Sequence, residues 1–326
     1  MSDIYHIPFD DGKTYRLKKF VEYQHEVPSI HYRFLGEYIK KHGLSRDETV
    51  DLCFLMLITY NEITCILLHE LLKRENPETI WKKYKENLLF GSARKYAKNN
   101  DQFCGLIADW KRTTNNEPYM WLKTHEKPQG EETYRNVQNA LKTINNVGRF
   151  ASDLFLETVI YLKEYLGICI TEPTSIDWVN CANLTSGIYN IFYEDERANR
   201  FDKEKKVSEI EKQYLTSRLK IIQSEIHKTY PTQNAEISLF IGKICSFRNL
   251  FKNARYGGFH HDRQLGVIRA YEKNFPEYKY LWDECYELRK KLFHKRFLGE
   301  LNGWDGIRRE RKKLWLTTGK TGAEPL

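Results

Sequence analysis

The stretch Leu141-Lys-Thr-Ile-Asn-Asn-Val-Gly-Arg-Phe-Ala-Ser152, followed by a long apolar segment, sets the expected fold. It predicts two helices joined by a tight turn at Asn145-Asn146-Val147-Gly148, because Asn and Gly tolerate positive φ and Val147 can plug the turn. The first backbone N–H groups of the second helix have no partner within that helix, so they can bind a phosphate. An ordinary turn between two helices explains the same residues, and the sequence leaves both interpretations open.

Composition and charge narrow the class of protein. A chain of 326 residues with 41% hydrophobic and 14% aromatic residues predicts a folded globule of two domains or two lobes. The net charge of +8 favours polyanionic partners. Seven scattered cysteines without a C-x-x-C pair indicate neither zinc nor an iron–sulfur cluster, and they fit a reducing cytosol. The first residues do not resemble a signal peptide, and the longest apolar run, 52–58, is too short to cross a bilayer.

Helical signals dominate the chain, so we predict an all-α fold, a single two-lobed helical domain over 1–326. Ser45-Arg-Asp-Glu48 is a capping box that predicts a central apolar helix running to about Lys73. Loops are expected at 115–118, 127–130 and 230–231, where Pro, Gly and Asn cluster. Further helices are predicted near 77–88, 134–145, 149–166, 178–192, 203–228, 234–252, 263–273 and 279–298.

Polar residues interrupt the central apolar helix at Thr59-Tyr60-Asn61-Glu62. Burying Asn61 and Glu62 without partners would be costly. These residues therefore form either the wall of a pocket or a hydrogen-bonded network in the core.

A second candidate is Asp177, in the sequence Ser175-Ile-Asp-Trp-Val-Asn180 at a predicted helix start. An aspartate in this position is by default an N-cap. A carboxylate there can also act in catalysis, and the two roles do not exclude each other.

The third candidate is the cationic stretch 248–263. Its first three cations recur at four and three residues, which places them on one helix face, and a Gly-Gly pair follows. Converging guanidinium groups beside a glycine turn suit phosphate or pyrophosphate, whereas a solvated basic helix end is the simpler alternative. No zinc is expected at the adjacent histidines, because neighbouring histidines diverge. The residues of interest here are Arg248, Lys252, Arg255, Tyr256, His260, His261, Asp262 and Arg263.

The hairpin resembles that of the helix-hairpin-helix DNA glycosylases, usually written Leu-Pro-Gly-Val-Gly, with Asn146 at the first glycine. Ile176-Asp177-Trp178-Val179 resembles the Val-Asp-x-His-Val context of their catalytic aspartate, at a longer spacing that needs an insertion around 171–174. Phe150 stands where lyase-type members have a nucleophilic lysine. Without that amine no Schiff base forms, so strand-cleaving activity is not expected.

Over most of its length the chain resembles the phage amino-acid:DNA transferases, also called α-glutamyl/putrescinyl-thymine pyrophosphorylases. The matching segments are 43–72, 139–192 and 244–266. The resemblance implies an all-helical fold related to the glycosylases and a role in thymine hypermodification. In that reaction the amine of an amino acid or polyamine displaces phosphate or pyrophosphate from the methylene of an activated 5-hydroxymethyluracil in DNA.

The resemblance also implies roles for the candidate residues on a flipped base. The helix-hairpin-helix, about 134–166, would grip DNA through Asn145, Asn146, Val147, Gly148 and Arg149. Arg248, Lys252, Arg255 and Arg263 would neutralise the leaving group. Asp177 or Glu62 would accept a proton from the attacking ammonium, with His260 or His261 as substitutes. The remaining pocket residues would be Tyr60, Asn61, Tyr256 and Asp262.

The partners implied are DNA containing a modified pyrimidine and an amine co-substrate, with no membrane, in the cytoplasm of an infected host cell. Basic helices at about 279–315 suit a DNA backbone, with a solvated face as the alternative. No cofactor and no metal are expected; a monovalent cation at the hairpin stays open, as does the oligomeric state. Two other functions remain alternatives: a monofunctional DNA glycosylase and a non-enzymatic nucleic-acid-binding protein.

Overall fold

The computed structural model describes residues 16–18, 20–21, 30–91, 97, 99–172, 182–192, 208–231, 244 and 259–293. Within these ranges all regular secondary structure is helical, which confirms the all-α prediction. The helices are α1 (Ile30–His42), α2 (Arg46–Thr59), α3 (Glu62–Leu72), α4 (Pro77–Tyr84), α5 (Asn100–Thr114), α6 (Pro118–Thr124), α7 (Gly130–Leu141), α8 (Arg149–Tyr161), α9 (Lys163–Leu166), α10 (Ala182–Ile191), α11 (Glu209–Thr229), α12 (Phe259–Asn274) and α13 (Lys279–Leu292), with a 3₁₀ turn at Pro276–Tyr278 between the last two.

The chain divides into two compact units. The hairpin unit comprises His31–Glu172 and Gln264–Leu292, and the flanking unit comprises Met1–Ile30, Pro173–Arg263 and Phe293–Leu326. In the hairpin unit, α2 is the central helix and packs against α3, α6 and α8. The Phe54 ring of α2 stacks on Trp110 of α5 with centroids 4.3 Å apart. In the flanking unit, Tyr189 of α10 donates a hydrogen bond to Glu211 of α11 at 2.5 Å.

The central apolar segment folds as two helices, not as the single helix predicted from Ser45 to about Lys73. Ser45 and Glu48 do form the capping box of α2, with Ser45 Oγ accepting the Glu48 N–H at 3.2 Å. The helix stops at Tyr60, whose φ of 47° lies in the left-handed region. Asn61 then caps α3, because its Oδ1 accepts two backbone N–H groups at 3.0 and 3.1 Å. Hydrophobic periodicity did not show this break, since buried apolar residues continue through both helices.

Gly91 packs against the break between α2 and α3 and helps to fix the backbone at Tyr60. Its N–H donates to the Thr59 carbonyl at 2.6 Å. A Cβ atom at this position would lie 2.5 Å from the Tyr60 carbonyl oxygen and 2.7 Å from Tyr60 Cβ. The close approach of the two backbones therefore requires a glycine.

The helix–turn–helix predicted around 141–152 is present as α7 and α8. Asn146 has φ of 65°, as expected of a residue in place of a glycine, and Val147 is 4% exposed under the turn. Gly148 is the N-cap of α8 with φ of −86°, an ordinary value, and no side chain caps the helix there. Asn145, Asn146 and Gly148 are exposed. The single helix predicted over 149–166 is two helices, α8, which ends at Tyr161, and the short α9 after it.

Three helices were not predicted from the sequence: α1, α5 and α6. Helix α4 is shorter than predicted, and α7 and α12 each begin four residues early. The predicted loops at 115–118 and 127–130 lie between helices, although Pro118 and Gly130 already begin α6 and α7. Most of the predicted helix over 234–252 lies outside the described residues, as do the residues after 293. No helix in the described ranges is long and apolar enough to cross a membrane.

Candidate active site

The structure describes only part of the candidate residues named from the sequence. Those outside the described residues are Asp177, Arg248, Lys252, Arg255 and Tyr256. The side chains of Arg149 and His260 are not described either. In the flanking unit, His261 and Asp262 are buried, and the His261 ring meets Phe293 edge-on with centroids 4.7 Å apart. The candidates that can be followed in detail are those of the hairpin unit, around Tyr60, Asn61 and Glu62.

Glu62 lies in the first turn of α3 and is hydrogen-bonded at both carboxylate oxygens. Its Oε2 is bonded to Nδ1 of His31, which lies on α1. Its Oε1 accepts from the side-chain amide of Gln264 on α12, and Arg289 Nη1 donates to the amide oxygen of Gln264 at 2.6 Å. Glu62 is thus part of a buried network that runs from His31 to Arg289, one of the two arrangements the sequence left open.

The charge of this network follows from its partners. Burial alone raises the pKa of Glu62, but the neighbouring His31 and the hydrogen bonds from His31, the backbone and Gln264 outweigh burial and lower that pKa to about 2. Glu62 is therefore a carboxylate at neutral pH and accepts both hydrogen bonds. Since a carboxylate cannot donate, the proton of the His31–Glu62 bond lies on Nδ1 of His31.

Tyr60 lies beside this pair. Its ring centroid is 5.9 Å from that of His31, and its side chain keeps partial solvent exposure. A left-handed conformation is costly for a bulky residue other than glycine and persists only where the surroundings impose it. Here the Asn61 cap and the contact with Gly91 impose it, so the Tyr60 ring is held next to the His31 imidazole.

A second polar group lies on α8, the helix that follows the hairpin turn. Asp153 and Glu157 are four residues apart and share one helix face. The Tyr32 hydroxyl donates to Glu157 Oε2. The Tyr134 hydroxyl and the Gln138 amide both donate to Asp153 Oδ1, at 3.1 and 2.7 Å. Each carboxyl thus accepts hydrogen bonds from neutral donors.

The protein around Glu157 shifts its proton affinity upward. Burial raises the pKa of Glu157 and outweighs the hydrogen bond from Tyr32, and the nearby Asp153 raises it further, to about 8. Glu157 is therefore protonated at neutral pH. Asp153 and Glu157 nevertheless keep some solvent-accessible surface. A carboxyl whose pKa is strongly shifted by desolvation and that stays partly accessible is a candidate functional group.

Tyr32 connects the two groups. Burial, the charge of Glu157 and the nearby Tyr60 all raise the pKa of its hydroxyl well above the usual value. Tyr60 is thus within electrostatic reach of Tyr32, and it also contacts His31. We call His31, Tyr60, Glu62, Asp153 and Glu157 the acid–base cluster. It combines an ionised carboxylate, a protonated carboxyl and an imidazole, which together can accept and donate protons at neutral pH.

Sequence reasoning named Tyr60 and Glu62 but missed His31, Asp153 and Glu157. A local signal existed for the last two, since they are acidic residues four apart on the predicted apolar helix after the hairpin. For His31 the sequence offers no signal, because its helix was not predicted and its partner is 31 residues away.

No group of three His, Cys, Asp or Glu side chains in the described part of the chain is arranged to hold a metal ion. The site combines a helical scaffold, a hairpin and the acid–base cluster. Comparison with protein-family models, with curated proteins and with solved structures found no match.

Proposed function

We propose that this chain is a DNA-modifying transferase. It joins the amine of an amino acid or polyamine to the methylene of a (pyro)phosphorylated 5-hydroxymethyluracil in DNA and releases phosphate or pyrophosphate. The resemblance to the phage amino-acid:DNA transferases supplies the reaction. What supports its application here is the position of the acid–base cluster relative to the hairpin.

The observation that carries the proposal is that one helix connects the hairpin turn with the acid–base cluster. Helix α8 begins at the exposed hairpin turn, and the same helix carries Asp153 and Glu157. At 1.5 Å per residue, Asp153 and Glu157 lie about 7.5 and about 13.5 Å along the helix axis from Gly148. A turn whose N–H groups bind a DNA phosphate would therefore hold the neighbouring flipped nucleotide within reach of the cluster.

The chemistry of the cluster also fits a displacement by an amine. An ammonium group must lose a proton before it attacks, and the leaving phosphate must gain one. A site that has both an acceptor and a protonated carboxyl at neutral pH can serve both needs. Bringing two substrates together supplies further acceleration, because the reaction becomes unimolecular within the complex. The resemblance assigns the neutralisation of the leaving group to the cations of 248–263, most of which lie outside the described residues.

Mass spectrometry of nucleosides tests the proposal. Duplex and single-stranded DNA containing phosphorylated or pyrophosphorylated 5-hydroxymethyluracil is incubated with the full chain and a mixture of amino acids and polyamines. We expect a new nucleoside whose mass equals that of thymidine plus the amine less two hydrogens, with release of phosphate or pyrophosphate in equal amount. Unmodified thymidine DNA is the control and should give no product.

Two outcomes would contradict the transferase. Release of a free base with formation of an abasic site would assign the chain to the monofunctional DNA glycosylases. Tight DNA binding with no change in any nucleoside, over all amines and both strand forms, would assign it to the nucleic-acid-binding proteins without catalytic activity.

A further inference from the structure

The pair formed by His31 and Glu62 has the arrangement of a general base with its orienting carboxylate. The buried Glu62 side chain is 2% exposed, whereas that of His31 is 18% exposed. The Nδ1–H group of His31 points at the carboxylate, as argued above, which fixes the tautomer of the neutral imidazole. The lone pair of that tautomer is then on Nε2, on the opposite side of the ring from Glu62.

We propose that His31 is the proton acceptor of the amine transfer and that Glu62 is its positioning residue. This inference rests on the proposed function and replaces the earlier expectation that Glu62 or Asp177 itself takes the proton. It assigns a catalytic role to a residue that no sequence pattern singled out.

Glu62 is poorly suited to act as the base directly. Both of its oxygens are already engaged, by His31 and by Gln264. Its pKa of about 2 makes it a weak acceptor for a proton held by an ammonium group. The same two properties make it a good partner for an imidazole, since a carboxylate that stays ionised holds the Nδ1 proton and stabilises the imidazolium that forms.

Arg289 and Gln264 complete the arrangement. Arg289 is 2% exposed and donates to Gln264, whose amide can then present only its NH₂ group to Glu62. The network therefore fixes the Glu62 carboxylate, and through it the plane of the His31 ring. On the other side, the Tyr60 ring limits where that imidazole can move.

The amine transfer moves one proton through His31. The donor ammonium gives one proton to Nε2 of His31 and becomes a neutral amine. The nitrogen lone pair then forms a bond to the methylene carbon, while the carbon–oxygen bond breaks and its electron pair leaves on the phosphate oxygen. The imidazolium returns the proton to the released phosphate or pyrophosphate. The product is a secondary ammonium, and His31 is neutral again.

The first test uses His31→Ala with imidazole in the buffer. We expect transfer to fall by about 10²- to 10⁴-fold, the usual contribution of a general base, and to be partly restored by free imidazole. The matched control is His42→Ala, because His42 lies on the same helix, is bonded to Glu284 at the surface and should leave transfer unchanged. The double variant His31→Gln/Glu62→Gln removes both members of the pair together, so no buried carboxylate is left without its partner, and it is the fallback if the single variant unfolds.

The second test separates positioning from simple structural support. Glu62→Gln retains His31 but removes the negative charge that holds the Nδ1 proton and stabilises the imidazolium. We expect a lower rate, and we expect the acidic limb of the pH–rate profile to move to lower pH than in the wild type, because the imidazolium loses its carboxylate partner. In nitrogen-15 NMR spectra of the wild-type protein, the neutral His31 should carry its proton on Nδ1.

The outcomes distinguish this inference from the proposed function. If the wild type transfers amines and His31→Ala keeps its rate and pH profile, His31 is not the base, although the transferase stands. A His31 protonated on Nε2 in the wild type would equally overturn the inference. If the wild type makes no product at all, the proposed function fails, and the role of His31 in it fails with it.

Discussion

Glu62 and Glu157 lie in the same helical unit and are both desolvated by the protein around them, yet their pKa values move in opposite directions. The pKa of Glu62 is lowered to about 2 and that of Glu157 is raised to about 8. The difference lies in the partners: Glu62 faces His31, whereas Glu157 faces a tyrosine hydroxyl and the charge of Asp153. Burial raises the pKa of both carboxyls, and the neighbouring groups decide the direction of the net shift.

The largest effect is expected from Glu62→Gln. The folded-state pKa is below the ordinary value of 4.5, so this carboxylate stabilises the protein above pH 4.5, and its contribution is lost as pH falls toward 2. Removing one partner of a buried pair costs about 4 kcal/mol of unfolding free energy at pH 7. Urea unfolding at pH 7 and pH 3 measures both effects, and the loss should be smaller at pH 3.

The control for this variant is Glu287→Gln, whose carboxylate pairs with Lys290 at the surface and is 67% exposed. It should remain within about 0.5 kcal/mol of the wild type. Equal stability of Glu62→Gln and the wild type at pH 7 would show that the His31–Glu62 pair is not formed in solution.

Glu157→Gln should raise the free energy of unfolding, whereas Glu62→Gln lowers it. Because the folded-state pKa is raised from 4.5 to about 8, ionisation is disfavoured in the folded state, and wild-type stability falls as pH rises through that interval. A pKa shift of this size corresponds to a loss of at most about 5 kcal/mol in the free energy of unfolding. Because the side chain keeps some solvent contact, we expect about half of that loss. Glutamine mimics the protonated form. The variant should therefore match the wild type near pH 5 and exceed it by about 2 kcal/mol at pH 9.

Chemical denaturation at both pH values tests this prediction. The control is Glu164→Gln, an exposed glutamate of α9 that should show no such pH-dependent gain. A variant that is less stable than the wild type at pH 9 would mean that Glu157 is ionised there without penalty, and the contrast with Glu62 would disappear.

An effect of similar size is expected from Gly91→Ala, which disturbs Tyr60 between the two halves of the cluster. The new methyl group would come within 2.5 Å of the Tyr60 carbonyl oxygen, so the backbone must shift, at a cost of about 2 kcal/mol. Gly105→Ala is the control: it lies within α5 with nothing within 4 Å of its added methyl group and should gain up to about 1 kcal/mol. Thermal unfolding compares the two variants. Equal melting temperatures would show that the backbone at Tyr60 is not constrained.

Local patterns were sufficient to predict the helices that carry strong boundary signals. Ser45 and Glu48 predicted the start of α2, and the Asn and Gly residues of the hairpin predicted the turn between α7 and α8. The left-handed conformation of Asn146 was expected for the same reason, since few residues other than Gly adopt it readily. By contrast, α1 was missed although Phe34, Leu35, Tyr38 and Ile39 follow a helical period.

The acid–base cluster could be predicted only in part. The polar residues at Tyr60 and Glu62 were conspicuous because they interrupt an apolar run. Their partners could not be found this way, since Gln264 contacts Glu62 from 202 residues away. Such pairings follow from the packing of α1, α3 and α12, and the spacing of residues in one sequence cannot predict them.

The smallest and most discriminating change is Tyr32→Phe, which removes one hydroxyl and keeps the buried ring. The hydrogen bond from Tyr32 lowers the pKa of Glu157, so its loss should raise that pKa above 8 and leave Glu62 unchanged. The cost in unfolding free energy should be about 1 kcal/mol. Tyr165→Phe is the control, because it also loses a hydrogen bond, to the Leu44 carbonyl at 2.7 Å, but does not touch Glu157. Carbon-13 NMR titration of the glutamate carboxyls follows both sites in each variant. If Glu157 titrates at the same pH in Tyr32→Phe as in the wild type, burial and Asp153 alone set its pKa, and the partner-based explanation of its contrast with Glu62 is wrong.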